Sequence, residues 1–486
     1  MNYRLMGRIN AFILLGEAVF MIPPMLLCFY DREREIAFDF LLVIGILALC
    51  SLVLFLFAKG ARGGFYAREG LVSVGTAWIL MSLFGCLPFY LSGQIPRFID
   101  ALFEMVSGFT TTGASILPEV ESLSRGILFW RSFSHWLGGM GVLVFLLAVV
   151  PISGRNDGFT MHLLRAESPG PDVGKLVPRM KQTAIILYGL YILLTVLDFI
   201  FLVIGRMPVF DAVCIAIGTA GTGGFGVLNS SIGGYSPYIQ VVCTVFMFLF
   251  GVNFTCYYLL FCGKIKNVLK DEELRWYLGI ASVCIIVITI SLMIAKTYAT
   301  FGETVRHTAF QVASLQSSTG FSTTDFDLWP TLPKAILFTL MFIGASAGST
   351  GGGFKISRIL LMARGFNRDM ATHLRPDIVK KVHIDGKVVE ESVMRSTGTY
   401  TFVYMAVTII SVLLISIEGK DWETTFTSVV ATFNNIGPGL GEVGTVGNYA
   451  GFSNFSKLIL SADMLIGRLE IFPILVLFRR STWKKF

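Results

Sequence analysis

The chain has 486 residues, 54% of them hydrophobic and 15% charged, with a formal net charge of +7. Soluble domains carry about 25% charged residues, so the composition excludes a soluble enzyme or binding module. Recurrent apolar runs of about twenty residues describe a polytopic membrane protein instead.

In chain order, ten spans are expected, at 11–30, 37–57, 72–92, 128–150, 183–204, 238–262, 276–294, 334–364, 399–417 and 457–478. The basic start, Met1 to Arg8, leads into an apolar run that continues past Pro23-Pro24 to Tyr30 without a small-residue cleavage site. It reads as a retained first helix rather than a signal peptide. The eighth span is interrupted by the Gly-rich stretch 344–353. The eight cysteines (28, 50, 86, 214, 243, 256, 262 and 284) all lie in or beside apolar spans and read as small buried hydrophobes.

Charge tests this order. The segments 1–8, 58–71, 151–182, 263–275, 355–398 and 479–486 hold 27 of the 39 Lys and Arg residues. By the positive-inside rule these segments face the cytoplasm, as do both termini. The basic residues are scattered over loops, so the surplus is an orientation signal and not a nucleic-acid surface.

Four shorter segments, 99–110, 209–220, 304–317 and 422–433, alternate with pairs of spans from the third onward. Each has about a dozen residues, too few to cross a bilayer. Each opens near an acidic residue (Asp100, Asp211, Glu303, Glu423), which suits a helix N-terminus. Each ends at a Gly-containing motif whose key glycines are Gly113, Gly223, Gly320 and Gly437. A short helix that stops at mid-membrane, followed by extended backbone, is tolerated where it lines a water-filled cavity. The expected fold is therefore all-α and polytopic. Four pseudo-repeats of span, pore helix, filter loop and span surround a central pore, and two N-terminal spans stand outside them. The expected divisions are 1–70 for the two extra spans and 71–160, 161–265, 266–398 and 399–486 for the repeats.

Glycine lets carbonyls point toward an axis in dihedral combinations that other residues resist. Neighbouring Thr and Ser can add hydroxyl oxygens, and helix C-termini aimed at the axis add partial negative charge. No acidic residue lies within the four core motifs, which suits a monovalent cation better than calcium or magnesium.

The motif Ser107-Gly-Phe-Thr-Thr-Thr-Gly-Ala114, the segment Thr222-Gly-Gly-Phe225, the motif Ser317-Ser-Thr-Gly-Phe-Ser-Thr323 and the motif Asn434-Asn-Ile-Gly-Pro-Gly-Leu-Gly441 resemble the four filters of the Trk/Ktr/HKT potassium transporters. The two extra spans and the Gly-rich break resemble the TrkH branch of that superfamily, and the likeness covers essentially the whole chain. It implies potassium as substrate and filter carbonyls from four sets: Thr111, Thr112, Gly113; Gly221, Thr222, Gly223; Ser318, Thr319, Gly320; and Asn435, Ile436, Gly437. Gly113 resembles the potassium-selective members, where serine marks sodium-selective ones. The second motif departs from the pattern, with Gly221 and Gly226 where serine is expected.

The resemblance also makes 344–353 an intramembrane gating loop, with Gly344, Gly348, Gly351, Gly352 and Gly353 giving it mobility. Arg468 becomes an electrostatic barrier below the filter. Read from the residues alone, 344–353 is equally a static loop between half-helices, and Arg468 pairs with Glu470, Asp463 or a helix-end carbonyl. Arg131 and His135 read as packing or mouth residues. Glu104 reads as a cation attractor or a buried support, and Lys355 as a side chain that snorkels to the cytoplasmic face. No phosphate-loop or dinucleotide fingerprint is present, so this chain is expected to bind no cofactor and to be no enzyme. The resemblance implies a homodimer in the lipid bilayer of a bacterial plasma membrane. It also implies a cytosolic nucleotide-binding subunit of the TrkA kind as regulator. The competing reading is a proton- or sodium-coupled symporter, with Glu17, Asp198 and Arg468 as its intramembrane ionisable candidates.

Overall fold

The structure, a computed structural model, describes residues 1–60, 66–141 and 180–484. Among these, six helical elements are long and apolar enough to cross a membrane: Tyr3–Tyr30, Arg34–Phe57, Ala67–Leu91, Ala184–Ile204, Glu272–Ile294 and Glu391–Glu418. They are the two extra spans and the first span of each repeat. Their apolar side chains cannot find enough partners within one chain. In Arg34–Phe57 only 22% of the most apolar window is buried, and Leu49, Leu52, Val53 and Leu56 stand exposed on a face suited to lipid.

The second span of each repeat behaves differently. Pro237–Phe250 is followed by Phe254–Phe261 after a bend of 89°. Thr331–Ile343 is separated from Ile356–Leu374 by non-helical backbone, and Asn454–Arg468 from Phe472–Phe478 by a short break. Arg125–Gly139 ends where the described residues of its repeat run out, so the rest of the expected span 128–150 and the loop 151–179 lie outside them. One interruption was expected, in the eighth span; the structure adds breaks in the sixth and tenth. Serine starts three of these second helices, with Ser124, Ser236 and Ser453 accepting N–H bonds from the first turn.

Between the two spans of each repeat lies a pore helix: Phe98–Phe109, Val209–Gly221, Phe301–Gln316 and Trp422–Phe433. Their bounds match the four expected segments closely. The helices Ala67–Gly85 and Glu391–Ile415 contain the expected divisions at 70/71 and 398/399. A two-stranded antiparallel hairpin pairs His383 with Val388 and Ile384 with Lys387. The extra spans pack on the first repeat. There Trp130 donates to Gly85 O at 2.9 Å, and Gly126 lies so close to Cys28 that a Cβ would stand 2.1 Å from its sulfur.

Candidate ion pathway

Each pore helix ends in the same turn. Thr111, Thr222, Ser318 and Asn435 all have positive φ, between 54° and 57°. Their N–H groups bond back three residues, to Gly108, Thr219, Leu315 and Thr432. The next N–H groups, of Thr112, Gly223, Thr319 and Ile436, bond back five, to Ser107, Gly218, Ser314 and Ala431 at 2.8–3.0 Å. This is a Schellman cap, in which a left-handed residue satisfies the carbonyls of the last helical turn.

One residue further on, a glycine again takes positive φ: Gly113 (79°), Gly224 (77°), Gly320 (86°) and Gly437 (94°). A Cβ at Gly113 would stand 2.1 Å from Gly223 O, one at Gly224 2.1 Å from Thr319 O, and one at Gly320 2.1 Å from Ile436 O. At Gly437 it would stand 2.6 Å from Thr112 O. The contacts run from the first repeat to the second, third, fourth and back to the first, closing a ring around the axis. Both the backbone conformation and the neighbour's carbonyl demand glycine at these four positions.

The ring corrects the register of the second repeat. The equivalent of Gly113 is Gly224, and Gly223 occupies the place of Thr112, Thr319 and Ile436. Gly221 is the last residue of its pore helix, equivalent to Thr110, Ser317 and Asn434. The two extra glycines have another cause. A Cβ on Gly221 would lie 2.3 Å from His135 O, and one on Gly223 2.1 Å from the His135 ring. The imidazole fills the space taken elsewhere by a side chain, lies tilted against Phe225 with ring centroids 4.2 Å apart, and bonds Gly108 O through Nδ1 at 2.7 Å.

The hydroxyls nearby serve the loops' own structure. Thr112 Oγ1 bonds Thr110 Oγ1 at 2.8 Å, and Thr319 Oγ1 bonds Ser317 Oγ at 2.6 Å. Asn435 Nδ2 donates to Thr112 Oγ1 at 2.9 Å and joins the fourth repeat to the first. Glu104 is fully buried and is a support. It accepts Ser115 Oγ and Ile116 N–H at 3.0 and 2.9 Å and pairs with Arg131 Nε at 2.6 Å. Arg131 in turn donates to Gly226 O at 3.0 Å and lies 3.6 Å over Phe225, so it links two repeats.

Beneath the ring, residues 344–355 cross between the half-helices of the third repeat. Gly344, Gly348, Gly353 and Lys355 take positive φ. Gly352 N–H donates to Ser318 Oγ at 2.5 Å, and a Cβ at Gly352 would meet Asn434 O at 2.4 Å. A Cβ at Gly351 would meet Ser317 O at 2.7 Å. The loop therefore rests directly against the ends of the third and fourth pore helices. It also bonds the bend of the second repeat, where Gly348 O accepts Phe254 N–H and Ser346 N–H donates to Gly251 O, both at 3.1 Å.

Arg468 completes the arrangement. Its guanidinium donates to Thr350 O at 2.8 Å and to Gly138 O and Gly139 O at 2.5 and 2.7 Å. Of the sequence alternatives, helix-end carbonyls are the partners. Glu470 pairs with Arg358 instead, and Asp463 accepts Ser411 Oγ at 2.7 Å. Lys355 is buried and donates to Gly351 O, which overturns its reading as a snorkelling side chain. Glu17 and Asp198 are buried in separate surroundings. Glu17 lies against Gly85, and Asp198 lies in the first span of the second repeat.

The sequence reading passed over Glu273, Ser318 as a loop anchor, and the bends at Gly251 and Glu470. Asn253 carries the visible signal for the first bend, because it caps the helix that follows.

The sequence profile of TrkH, described as a cation transport protein, matches residues 42–485. The Trk system potassium uptake protein TrkH of Salmonella typhimurium is 35% identical over 490 residues, covering 100% of both chains. The Trk system potassium uptake protein TrkG of Escherichia coli is 32% identical, covering 99% of both. The crystal structure of the potassium transporter TrkH from Vibrio parahaemolyticus superposes with a TM-score of 0.89, at 30% identity and with 100% of both chains covered. The chain belongs to the TrkH family of cation transport proteins.

Proposed function

We propose that this chain takes up potassium across a bacterial plasma membrane through a selective, gated pore and catalyses no covalent reaction. The observation that carries the reading is the closed ring of Gly113, Gly224, Gly320 and Gly437, each against the middle carbonyl of the next repeat. The filter carbonyls in this reading come from Thr111, Thr112 and Gly113; Thr222, Gly223 and Gly224; Ser318, Thr319 and Gly320; and Asn435, Ile436 and Gly437. Gly224 replaces Gly221 in the second set. Oxygens so arranged replace the hydration shell of a monovalent cation without a full negative charge, so that the ion can also leave. The pore helices end at the ring and contribute partial negative charge, about half a unit each.

The loop 344–353, with Gly344, Gly348, Gly351, Gly352 and Gly353, is the gate in this reading. It lies against two pore-helix ends, and Arg468 holds it to the first repeat. The arginine adds a positive barrier that a cation meets after the ring. The basic segments face the cytoplasm with both termini, on the strength of the Lys and Arg asymmetry. There the chain, as a homodimer, meets a TrkA-like nucleotide-binding regulatory subunit; the relatives' names assign them to a Trk system. The four repeats act as one pore unit, with the extra N-terminal spans packed outside it.

The symporter reading has less support. Glu17, Asp198 and Arg468 have separate surroundings: Glu17 lies against Gly85, Asp198 lies in the first span of the second repeat, and Arg468 donates to the carbonyls of Thr350, Gly138 and Gly139. The test is ion flux into proteoliposomes holding the purified chain alone, with potassium or sodium, with and without a proton gradient. Potassium flux that follows its own gradient is expected. Uptake only when protons or sodium accompany potassium would overturn the channel mechanism.

A further inference from the structure

Glu273 is the second residue of the helix Glu272–Ile294 and is buried, yet ion passage gives it no task. A single oxygen, Oε1, accepts Ala347 N–H at 2.7 Å and Ser357 N–H at 3.1 Å. Ala347 lies within the loop beneath the carbonyl ring, and Ser357 lies just past its end, in the helix Ile356–Leu374, so the two donors flank Gly351 and Gly352, which touch the pore-helix ends. Beside these bonds, Ser346 N–H bonds Gly251 O and Ile356 N–H bonds Ala345 O, while the cations Lys355 and Arg468 donate to the loop carbonyls of Gly351 and Thr350. A carboxylate acceptor makes roughly twice as strong a bond as a neutral one. Glu273 is therefore an acidic anchor at the loop's base, where the other charged side chains on the loop, Lys355 and Arg468, are donors.

The preceding residue faces another element. Glu272 N–H donates to Asp385 Oδ1 at 2.9 Å, in the turn of the hairpin. The Glu272 carboxylate pairs with Arg364 at 2.6 Å, and Arg364 also donates to His383 O. Consecutive residues at one helix start thus hold the hairpin on one side and the loop on the other.

We propose that Glu273 is a positioning residue, a latch that keeps 344–353 beneath the carbonyl ring, and that moving the hairpin 383–388 releases the loop through this helix start. The inference rests on reading 344–353 as the gate. The short path from hairpin to loop gives a partner seated on the basic face a handle on the pore without reaching into the membrane.

The test is potassium and sodium flux into proteoliposomes from the full-length chain. Glu273→Ala is expected to raise basal potassium flux roughly tenfold, the scale that loss of a charged hydrogen-bond anchor permits. Its potassium-to-sodium ratio should stay unchanged, because the ring is untouched. Glu273→Gln keeps an acceptor oxygen at the same place but loses the charge, and its flux is expected to fall between the parent's and that of Glu273→Ala. If Glu273→Ala fails to fold, Glu273→Asp withdraws the oxygen by one methylene and is read in its place. A rise shared equally by Glu273→Gln overturns the latch. A chain lacking Gly351, Gly352 and Gly353 separates the two claims. If it conducts freely while Glu273→Ala does not, the latch is wrong and the gate stands. If neither conducts above the parent, the gate reading and the latch fall together.

Discussion

The half of the molecule that carries the carbonyl ring and the half beyond it are built on different rules. In the first, four turns share one hydrogen-bond pattern and φ values within a few degrees, although the residues at the left-handed position are Thr, Thr, Ser and Asn. In the second, the breaks in the second helices are all unlike: a bend at 251–253, a loop of 344–355, and a short break at 469–471. In the proposed function a cation on the axis is surrounded by all four repeats at once, so a ring of ligands works only if each repeat offers the same geometry. The approach to that ring has no such requirement. One repeat supplies the loop, another supplies Arg468, a third supplies the bend against which the loop rests, and the first supplies the carbonyls that Arg468 bridges.

The largest effect should follow from breaking the equivalence of the four turns. Alanine at Gly113, Gly224 or Gly320 drives a methyl group into a neighbouring carbonyl. Each substitution is expected to reduce potassium-over-sodium discrimination by at least roughly tenfold, about 1.4 kcal/mol. Serine at Gly113 should do the same. Gly93→Ala is the control: its φ is 67°, but nothing lies within 4 Å of the added carbon. It should cost about 1 kcal/mol of stability and leave permeability ratios alone. Unequal losses at the three ring positions would show that the repeats do not share the ion evenly.

A second test concerns support present in one repeat only. Glu104 is replaced by Ile215 and Ser428 in the second and fourth repeats and by Gln311 in the third, counting back from the left-handed residue. Glu104→Gln leaves Arg131 buried beside a neutral amide. Losing one partner of a buried ion pair costs about 3–5 kcal/mol. A large fall in thermal midpoint in detergent is expected, and Arg131→Met with Glu104→Gln together should recover part of it. A midpoint that does not move in the single variant would mean that water already reaches the pair.

Much of this was legible in the sequence because it is periodic. Four acidic helix starts, four short helices and four glycines recur at about one-hundred-residue intervals, and the TrkH family membership and the fold agree with them. The register of the second turn was not legible. The sequence shows Gly221, Gly223 and Gly224 close together, and only the position of His135, nearly ninety residues earlier, separates glycines needed for packing from the one needed for its φ. The break in the last span was hidden for a related reason. Glu470 and Ile471 take φ of 53° and 72° with no glycine between them. Local propensity argues against that conformation, and tertiary contacts hold it: Glu470 pairs with Arg358, and Ile471 is buried in a core with Phe354 and Tyr404. The fate of Lys355 follows the same lesson, since its length suggested escape to the surface while a loop carbonyl lay within reach.

The far half is probed most directly through Arg468. Arg468→Met removes the donors to Thr350, Gly138 and Gly139 together with the positive charge. Basal potassium flux is expected to rise roughly tenfold, with selectivity kept, because the ring does not depend on this side chain. Arg468→Lys should fall between, since an ammonium is a compact charge and cannot span three carbonyls as a guanidinium fork does. Unchanged flux in a folded Arg468→Met protein would leave the arginine a purely structural tie.

The smallest effect is expected where a pore helix begins. Asp421 caps the fourth one, accepting Thr424 N–H at 2.9 Å, and this backbone bond holds its carboxyl below the usual aspartate range. A depressed pKa in the folded state means that the stabilisation is present above the ordinary value of about 3.9 and is lost as pH falls below it. Asp421→Ala should cost about 1 kcal/mol at neutral pH, the usual worth of such a cap. The gap in thermal midpoint between parent and variant should close as the pH is lowered toward 3. Asp421→Asn keeps the acceptor but not the charge, so its midpoint should lie near the parent's and move less with acid. A gap that persists unchanged at low pH would mean that the carboxylate contributes through packing, and that the start of this helix, unlike its end, is not tuned by electrostatics.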